Sequence, residues 1–596
     1  MRSSRFNQAN EQASQPRWRP RDTAAVVLLF SATAAFVLWQ NARVSILWDA
    51  SYTLDTGTRI AQGQLPYRDF PLAHAPLTFL VQALIIRLAG RVYFYHVLYA
   101  AAAAGAATLL AWRIALNTLR ARVTAAWSIA VLLAAPLAVL GIYCVLPFPS
   151  YDCDCALAVL LALFCWQRLP NGETPPEYGR QWKTLAGPFL TGVLLSLPLF
   201  FKQNIGLPFL AVAVVVLCQL VARTKIRHGN RAGAVAMAAV LSGAVAGLLL
   251  AALVLHLTVG VGNYLHWTIG FAAARRMPGA AAMLAVYREP GLLWQLPSVA
   301  AGLLLLRSRF GARLWARLGA LALLAAPFLW ALFSFLAAED SDDRADALLA
   351  LWPLLLVLSC ALAVHRLLRD RTPRGMLPLL VLAAIHGTLL SQQLWGSTYA
   401  IWPLFMLLLA ELARTLGGWE RSATQGNAPR VAPLLAAVAA LVLLVCGGFY
   451  AASQERLSYA HIDEGELRHS SLPELKGMAV RGDYLPEFEE LLRFAAGEIP
   501  PGDGLILLPG EDPFYFATGR RPRFPVLLFD PATDPLSPAQ LAAEARSRGI
   551  RWLVVKRHLQ IREDMMPERE AALDELKKLF RPYRTLRGYE IYRRAE

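Results

Sequence analysis

Apolar blocks of roughly 18 to 25 residues recur along this chain, the length an α-helix needs to cross the hydrocarbon core of a bilayer. Residues 23–40 (TAAVVLLFSATAAFVLWQ) and 232–256 are plain examples. Core helices of a large soluble protein are excluded by composition. Of 596 residues, 56% are hydrophobic and only 17% are charged, against about 25% charged in a soluble domain. Too little polar surface remains to cover such blocks with water. The expected fold class is an α-helical polytopic membrane protein.

The formal net charge of +16 follows topology, not nucleic acid. Arg17, Arg19 and Arg21 precede the first apolar run, and basic clusters return at 113–122, 168–183, 223–231, 307–317, 366–374 and 414–430. The intervening loops, 41–92, 147–154, 201–204, 259–290, 338–345 and 393–397, are poor in Lys and Arg for their length. Lys and Arg concentrate in cytoplasmic loops, so this alternation predicts about thirteen spans with the N-terminus inside and the C-terminus outside. It requires residues 76–90 not to cross. That stretch is short, follows Pro76 and is interrupted by Arg87, and is expected as a helix on the outer surface. If it crossed, every later basic loop would face outward. No cleavage site follows the first apolar run, which therefore reads as an uncleaved span. No basic face interleaves with aromatics, so no nucleic-acid partner is expected. Seven cysteines are present and none lies beyond residue 451, so no disulfide framework is implied.

Beyond residue 451 the long apolar runs stop. Short β-rich runs at 504–508, 525–529, 551–556 and 589–592 alternate with helical patterns at 487–498, 538–548 and 568–580. Ser537 is a good N-cap with Pro538 behind it, and Gly549 suits the position past the helix end. The expected organisation is a tail (1–22), a membrane domain (23–451) with a large first outer loop (41–92), and a small α/β domain outside the membrane (452–596).

Polar residues gather in the outer loops. The first carries Asp49, Asp55, Arg59, Tyr67, Arg68, Asp69 and His74. Asp49 follows the first span directly, where a carboxylate can accept a proton from an acceptor hydroxyl while a leaving group stays in lipid; an ordinary solvated loop is the plain alternative. The second outer loop, LPFPSYDCDCA, holds Asp152 and Asp154 with Cys153 and Cys155. Two thiols so spaced, with no His nearby, fit common zinc sites poorly, and acids opening a helix are the simpler reading. The third, FFKQNIG, places Lys202, Gln203 and Asn204 between apolar runs. Lys202 either snorkels to the interface or holds a phosphate, with Gln203 and Asn204 as hydrogen-bond partners. Arg275 and Arg276 are weaker candidates for that work. No P-loop, dinucleotide fingerprint, HExxH or GxSxG occurs. Within spans the notable ionisable residues are His256, His386 and Glu411, few for a proton-coupled transporter.

An acid followed by an aromatic (WDASY), then G-x-x-P-Y-R-D-F, then x-x-P-L and an apolar run resembles the pattern of GT-C glycosyltransferases. The branch it is most similar to holds the lipid A aminoarabinose transferase, the protein O-mannosyltransferases and bacterial cell-surface glycosyltransferases. As architecture the resemblance covers the whole chain; as motif it covers mainly 48–77, and more weakly 147–155, 201–206 and 500–523. It implies transfer of a sugar from a polyprenyl-phosphate donor to a lipid, glycan or protein acceptor of the cell envelope, outside a bacterial cytoplasmic (inner) membrane. It also implies inversion at the anomeric carbon, with Asp49 as general base. The residues implied to bind substrate are Asp55, Arg59, Tyr67, His74, Asp152, Asp154, Lys202, Gln203, Asn204 and Arg276. No cofactor is expected, and a divalent metal has no support. Two positions depart from the pattern: Ala50 and Ser51 stand where many relatives carry a second acid, and His74 stands in the stretch where the aminoarabinose branch has Lys. The competing readings are a transporter or flippase of lipid-linked sugars and a non-catalytic envelope scaffold. A transporter would show broken helices and charges in mid-span.

Overall fold

The computed structural model describes residues 19–594 except 121, 171–180, 228–230, 277–280, 282–283, 340, 370–371, 391–399, 424–429, 454–459, 462–464, 531–532 and 563–568. The chain is mostly helical, with a small sheet domain at its C-terminal end. Its main helices are α1 (Pro20–Arg43), α2 (Leu47–Ala61), α3 (Leu77–Ala89), α4 (Tyr93–Arg120), α5 (Ala126–Ala134), α6 (Tyr151–Trp166), α7 (Gln181–Ser196), α8 (Gln203–Arg227) and α9 (Arg231–Thr258). After them come α10 (Leu292–Arg307), α11 (Leu314–Ala337), α12 (Leu351–Arg369), α13 (Leu377–Leu389), α14 (Trp402–Ala423) and α15 (Val431–Ala452). Among the described residues, seven helices are long and apolar enough to cross a membrane by themselves. Several turn bare apolar faces outward: on α9, Leu249, Leu250, Leu253 and Leu257 are 64%, 63%, 53% and 72% exposed. Such a surface is untenable in water and ordinary in lipid.

The helices pack through small residues, as membrane helices do where no hydrophobic drive pulls them together. Gly243 and Gly247 of α9 face α7 so closely that a Cβ on Gly243 would run into the Phe189 carbonyl oxygen, and one on Gly192 into that of Val240. Gly243→Val is expected to force this pair apart, at a cost of about 1–3 kcal/mol. Gly448→Val, at a position with open space around it, should leave melting unchanged. Equal melting of the two variants in detergent would show that the α7–α9 backbones do not touch.

The loops sort to two ends. The loops at 41–92, 147–154 and 259–290 meet beside the C-terminal domain: Val145, Leu146 and Phe148 pack with Val44, Ile46 and Ala50, and Tyr67 and Phe70 pack with Val259 and Tyr264; the loop at 393–397 lies outside the described residues. Described residues at the edges of the basic loops 168–183, 307–317, 366–374 and 414–430 meet at the other end. There Arg374 donates to Gln167 O (2.8 Å), Trp166 to Pro373 O (2.7 Å), and Arg307 lies over Trp419 (4.9 Å). Helix α3 begins and ends at the first of these ends: Thr78 bonds Asp154 (2.7 Å), and Arg91 just past the helix bonds Ala517 O (3.0 Å) of the C-terminal domain. Its exposed residues Leu80, Leu84 and Leu88 form one stripe at helical spacing, and thirteen residues reach only about 20 Å of a ~30 Å core.

The C-terminal domain has a hairpin of β1 (Leu467–His469) and β2 (Ala479–Arg481), then α16 (Tyr484–Glu498), β3 (Gly504–Leu508), α17 (Phe514–Thr518), α18 (Pro538–Ser547), β4 (Ile550–Lys556), α19 (Arg569–Lys577), β5 (Phe580–Thr585) and β6 (Tyr589–Arg594). The main sheet runs β3-β4-β6-β5, with β3 and β4 parallel and the other pairs antiparallel. Ser537 caps α18 in a capping box with Gln540, and Gly549 takes φ 61° just past the helix end. Two expectations are corrected. Residues 525–529 are buried but form no strand, since Pro525 has no N–H for a ladder. The helix expected over 568–580 stops at Lys577, and the chain turns into edge strand β5, whose residues beyond Phe580 are exposed. The domain does not stand alone: Leu47, Leu54, Tyr93 and Val97 share one core with Phe488, Leu505, Phe514 and Trp552.

Candidate functional site

Helix α2 starts as soon as α1 ends, and its two faces do different work. Positions 47, 51, 55 and 59 fall on one face by helical spacing, and each is bonded to the C-terminal domain. The Leu47 N–H donates to Gln560 Oε1 (2.7 Å), the Ser51 hydroxyl to Gly510 O (2.9 Å), and Asp55 accepts from the N–H groups of Tyr515 (3.3 Å) and Phe516 (2.7 Å). Arg59 donates to Pro525 O (2.7 Å) and Phe524 O (2.9 Å) and lies 4.4 Å over the Phe70 ring. Burial pushes the Asp55 carboxyl up to about 8, against the two N–H donors that favour its charged form. Behind this face, the buried Lys556 ammonium bridges Glu511 (3.1 Å) and Asp512 (2.7 Å), and Glu511 accepts the Gln560 N–H (2.7 Å). Burial alone would lower the Lys556 amine; the two carboxylates outweigh it and hold the amine above its ordinary value. The C-terminal domain thus seats the helix that carries Asp49.

Asp55 and Arg59, expected at the substrate, are the residues of this joint. Asp55→Ala leaves two buried N–H groups without their acceptor. The expected loss is about 1–3 kcal/mol, seen as faster proteolysis at the joint. Unchanged protease resistance would show that the bonds do not hold the domain.

Asp49 is half-buried at the third residue of α2, where the helix N-terminus favours its charge. Tyr52, one turn on, meets His74 Nδ1 at 3.2 Å, and the His74 ring stacks on Tyr151 at 4.3 Å. Lys202 lies 5.1 Å over the same Tyr151 ring and is ion-paired with Asp152. Lys202 does not snorkel: it is 8% exposed and its charge is met by a carboxylate that is 2% exposed. Tyr67, at φ 66°, donates its hydroxyl to His74 O (2.7 Å) and fixes the turn that presents His74. Gln203 ties Ala73 O (3.0 Å) to Thr268 O (2.8 Å). Tyr52, Tyr67, His74, Tyr151, Asp152, Lys202 and Gln203 are therefore joined by one run of contacts through loops distant in sequence, and Asp49 stands one helical turn before Tyr52.

Besides Asp55 and Arg59, two expected residues sit outside that run. Asp154 is buried and accepts from the hydroxyls of Thr78 (2.7 Å), Tyr99 (2.7 Å) and Tyr143 (2.5 Å), so it braces α3, α4 and α6. Asn204 donates to Gly387 O (3.1 Å) on α13. The side chain of Arg276 lies outside the described residues. Cys153 and Cys155 are buried free thiols, and among the described residues no three His, Cys, Asp or Glu side chains gather as a metal site. The sequence reading gives no site role to Tyr151 or Gln560, and names Tyr52 only as the aromatic of WDASY. Tyr151 stands beside Asp152 and Tyr52 three residues from Asp49, both acids already singled out; nothing in the sequence marks Gln560.

No protein-family model matches the chain, and no curated protein does. Among solved structures, it is similar to ArnT from Cupriavidus metallidurans bound to undecaprenyl phosphate, at 13% identity and TM-score 0.42 over 95% of this chain and 97% of that one. It is also similar to the archaeal oligosaccharyltransferase AglB from Archaeoglobus fulgidus, in complex with an inhibitory peptide and a dolichol-phosphate. That match has 13% identity and TM-score 0.49 over 96% of this chain and 74% of that one.

Proposed function

We propose that this chain is a membrane glycosyltransferase that moves a sugar from a polyprenyl-phosphate donor to an envelope acceptor at the face carrying the C-terminal domain. The observation that carries the reading is the run of contacts from Tyr52 through His74, Tyr151 and Lys202 to Asp152, which begins one turn after Asp49 on the same helix. A carboxylate beside a membrane surface, an aromatic wall and a buried cation are what the reaction asks for. The acceptor X–H gives its proton to Asp49 as its X–C1 bond forms. The C1–O bond to phosphate breaks on the opposite face of the sugar, which inverts C1, and the polyprenyl phosphate departs into lipid. Lys202, sharing its charge with Asp152, meets the phosphate as a point charge. Bound inward at the basic end, the chain presents this face outside the membrane.

A photoreactive polyprenyl phosphate incorporated with the purified chain into lipid discs tests the site. Labelled peptides are expected from 48–79, 151–155 and 201–206; labelling confined to other segments removes the proposal. Orientation is tested separately. In whole cells an impermeant maleimide should reach Gly502→Cys, where a side chain has open space, and miss Arg309→Cys at the basic end. The reverse pattern would put the site on the cytoplasmic side and end this reading.

A further inference from the structure

At the end of the bundle opposite the C-terminal domain lies a cavity of about 1060 Å³ between α10, α11, α12, α14 and α15. Its place follows from α15. Ala432, Ala436 and Ala439 line it, whereas Ala452 at the other end of that helix accepts from Arg43 beside the C-terminal domain. Twenty residues of helix separate Ala432 from Ala452, about 30 Å or one bilayer core. The cavity reaches about 10 Å inward along α15, and leucines, including Leu303, Leu324 and Leu355, make its wall. It is larger than most small-molecule pockets, which run to about 1,000 Å³.

The lining is not uniformly apolar. Arg122, Arg307, Arg366, Arg369 and Arg414 all border it. Among the described residues, Glu411 pairs with Arg366 (2.7 Å) and Arg414 (3.3 Å), and Glu420 accepts the N–H of the cavity-lining Ala432 (3.3 Å). The five lining arginines outnumber these two carboxylates, and the buried Arg414 Nε has no acceptor among the described residues. A deep apolar wall below a rim of guanidinium groups matches a ligand with a hydrocarbon chain and an anionic head. The chain's own N-terminal segment fits poorly, since residues 1–18 carry Arg2, Arg5 and Arg17 against Glu11 alone.

From this geometry we infer that the cavity is a binding site for an anionic phospholipid, with an acyl chain among the leucines and the phosphate on the arginine rim. The site is separate from the one around Asp49, and it stands or falls without the glycosyltransferase reading. Trp419 lines the cavity and is 38% exposed, so it reports on occupancy. The full chain is placed in phosphatidylcholine vesicles containing either acyl-brominated phosphatidylglycerol or acyl-brominated phosphatidylcholine. The fluorescence quenched in the native chain but absent from Trp419→Phe is the signal. Phosphatidylglycerol is expected to quench it at several-fold lower mole fraction than phosphatidylcholine. Arg122→Gln and Arg369→Gln, both exposed rim positions, should each weaken that preference by about fivefold with melting unchanged. Equal quenching by the two lipids would make Trp419 an ordinary lipid-facing residue and overturn the proposal. So would full reversal of the preference by inorganic phosphate at constant ionic strength, since the site would then take free phosphate.

Discussion

Asp49→Asn is expected to reduce sugar transfer by about 10²- to 10⁴-fold, the range over which a positioned general base acts, with little change in donor affinity. The substitution keeps the shape of the side chain and removes its basicity. Its structural cost is small because Asp49 occupies the first turn of α2, where loss of a charge at the helix N-terminus costs about 0.3–1 kcal/mol. The helix itself is held from the other face, through Leu47, Ser51, Asp55 and Arg59. A folded Asn variant with near-normal turnover would remove Asp49 from the chemistry. The comparison with Gln560→Ala sharpens the test. Gln560 touches the start of α2 from the C-terminal domain and is a positioning residue. Its loss should lower turnover by loosening the helix while leaving the pH dependence of the reaction in place. Asp49→Asn should abolish the acid limb of that dependence. Identical profiles for the two variants would mean that Asp49 also acts only through position.

The membrane character and the two-ended sorting of loops were legible because both rest on long-range composition: apolar runs of spanning length, and Lys and Arg at alternate loops. Strands β3, β4 and β6 were legible because they are buried and rich in aliphatic and aromatic residues. Edge strand β5 was not, since FRPYRT carries a proline and shows mostly exposed side chains. The candidate site was legible only as a set of polar residues in the loops poor in Lys and Arg. Which partner each would take was not, because the choice depends on register between elements far apart in sequence. Lys202 finds Asp152 rather than solvent, and Asp154 finds three hydroxyls, from α3, α4 and the turn at Tyr143. Asp55 and Arg59 are named as substrate-binding residues through the family resemblance, and the sequence offers a solvated loop as the plain alternative. Here that loop is a helix with most of its length buried, and their partners are main-chain groups more than 400 residues away.

Lys202 carries the second large effect, and its ion pair changes how that effect is measured. Lys202→Met alone leaves Asp152 as a buried, uncompensated carboxylate, which costs about 3–5 kcal/mol of stability. Lost activity in that variant would report misfolding as readily as a lost phosphate contact. Removing both charges in Lys202→Met with Asp152→Asn takes away the unpaired ion, and exchange of a whole buried pair is often neutral for stability. The double variant should therefore melt close to the native protein. If Lys202 is only a structural partner of Asp152, the double variant should also regain normal donor affinity. If Lys202 meets the carrier phosphate, the refolded double variant should still need roughly 30- to 1,000-fold more donor, as a lost contact of about 2–4 kcal/mol requires. Lys202→Arg should fall between, since a planar fork meets Asp152 readily but presents its charge differently to a phosphate above the Tyr151 ring. Donor titration of a stable double variant decides the matter: native affinity there would confine Lys202 to holding α6 and the third loop together.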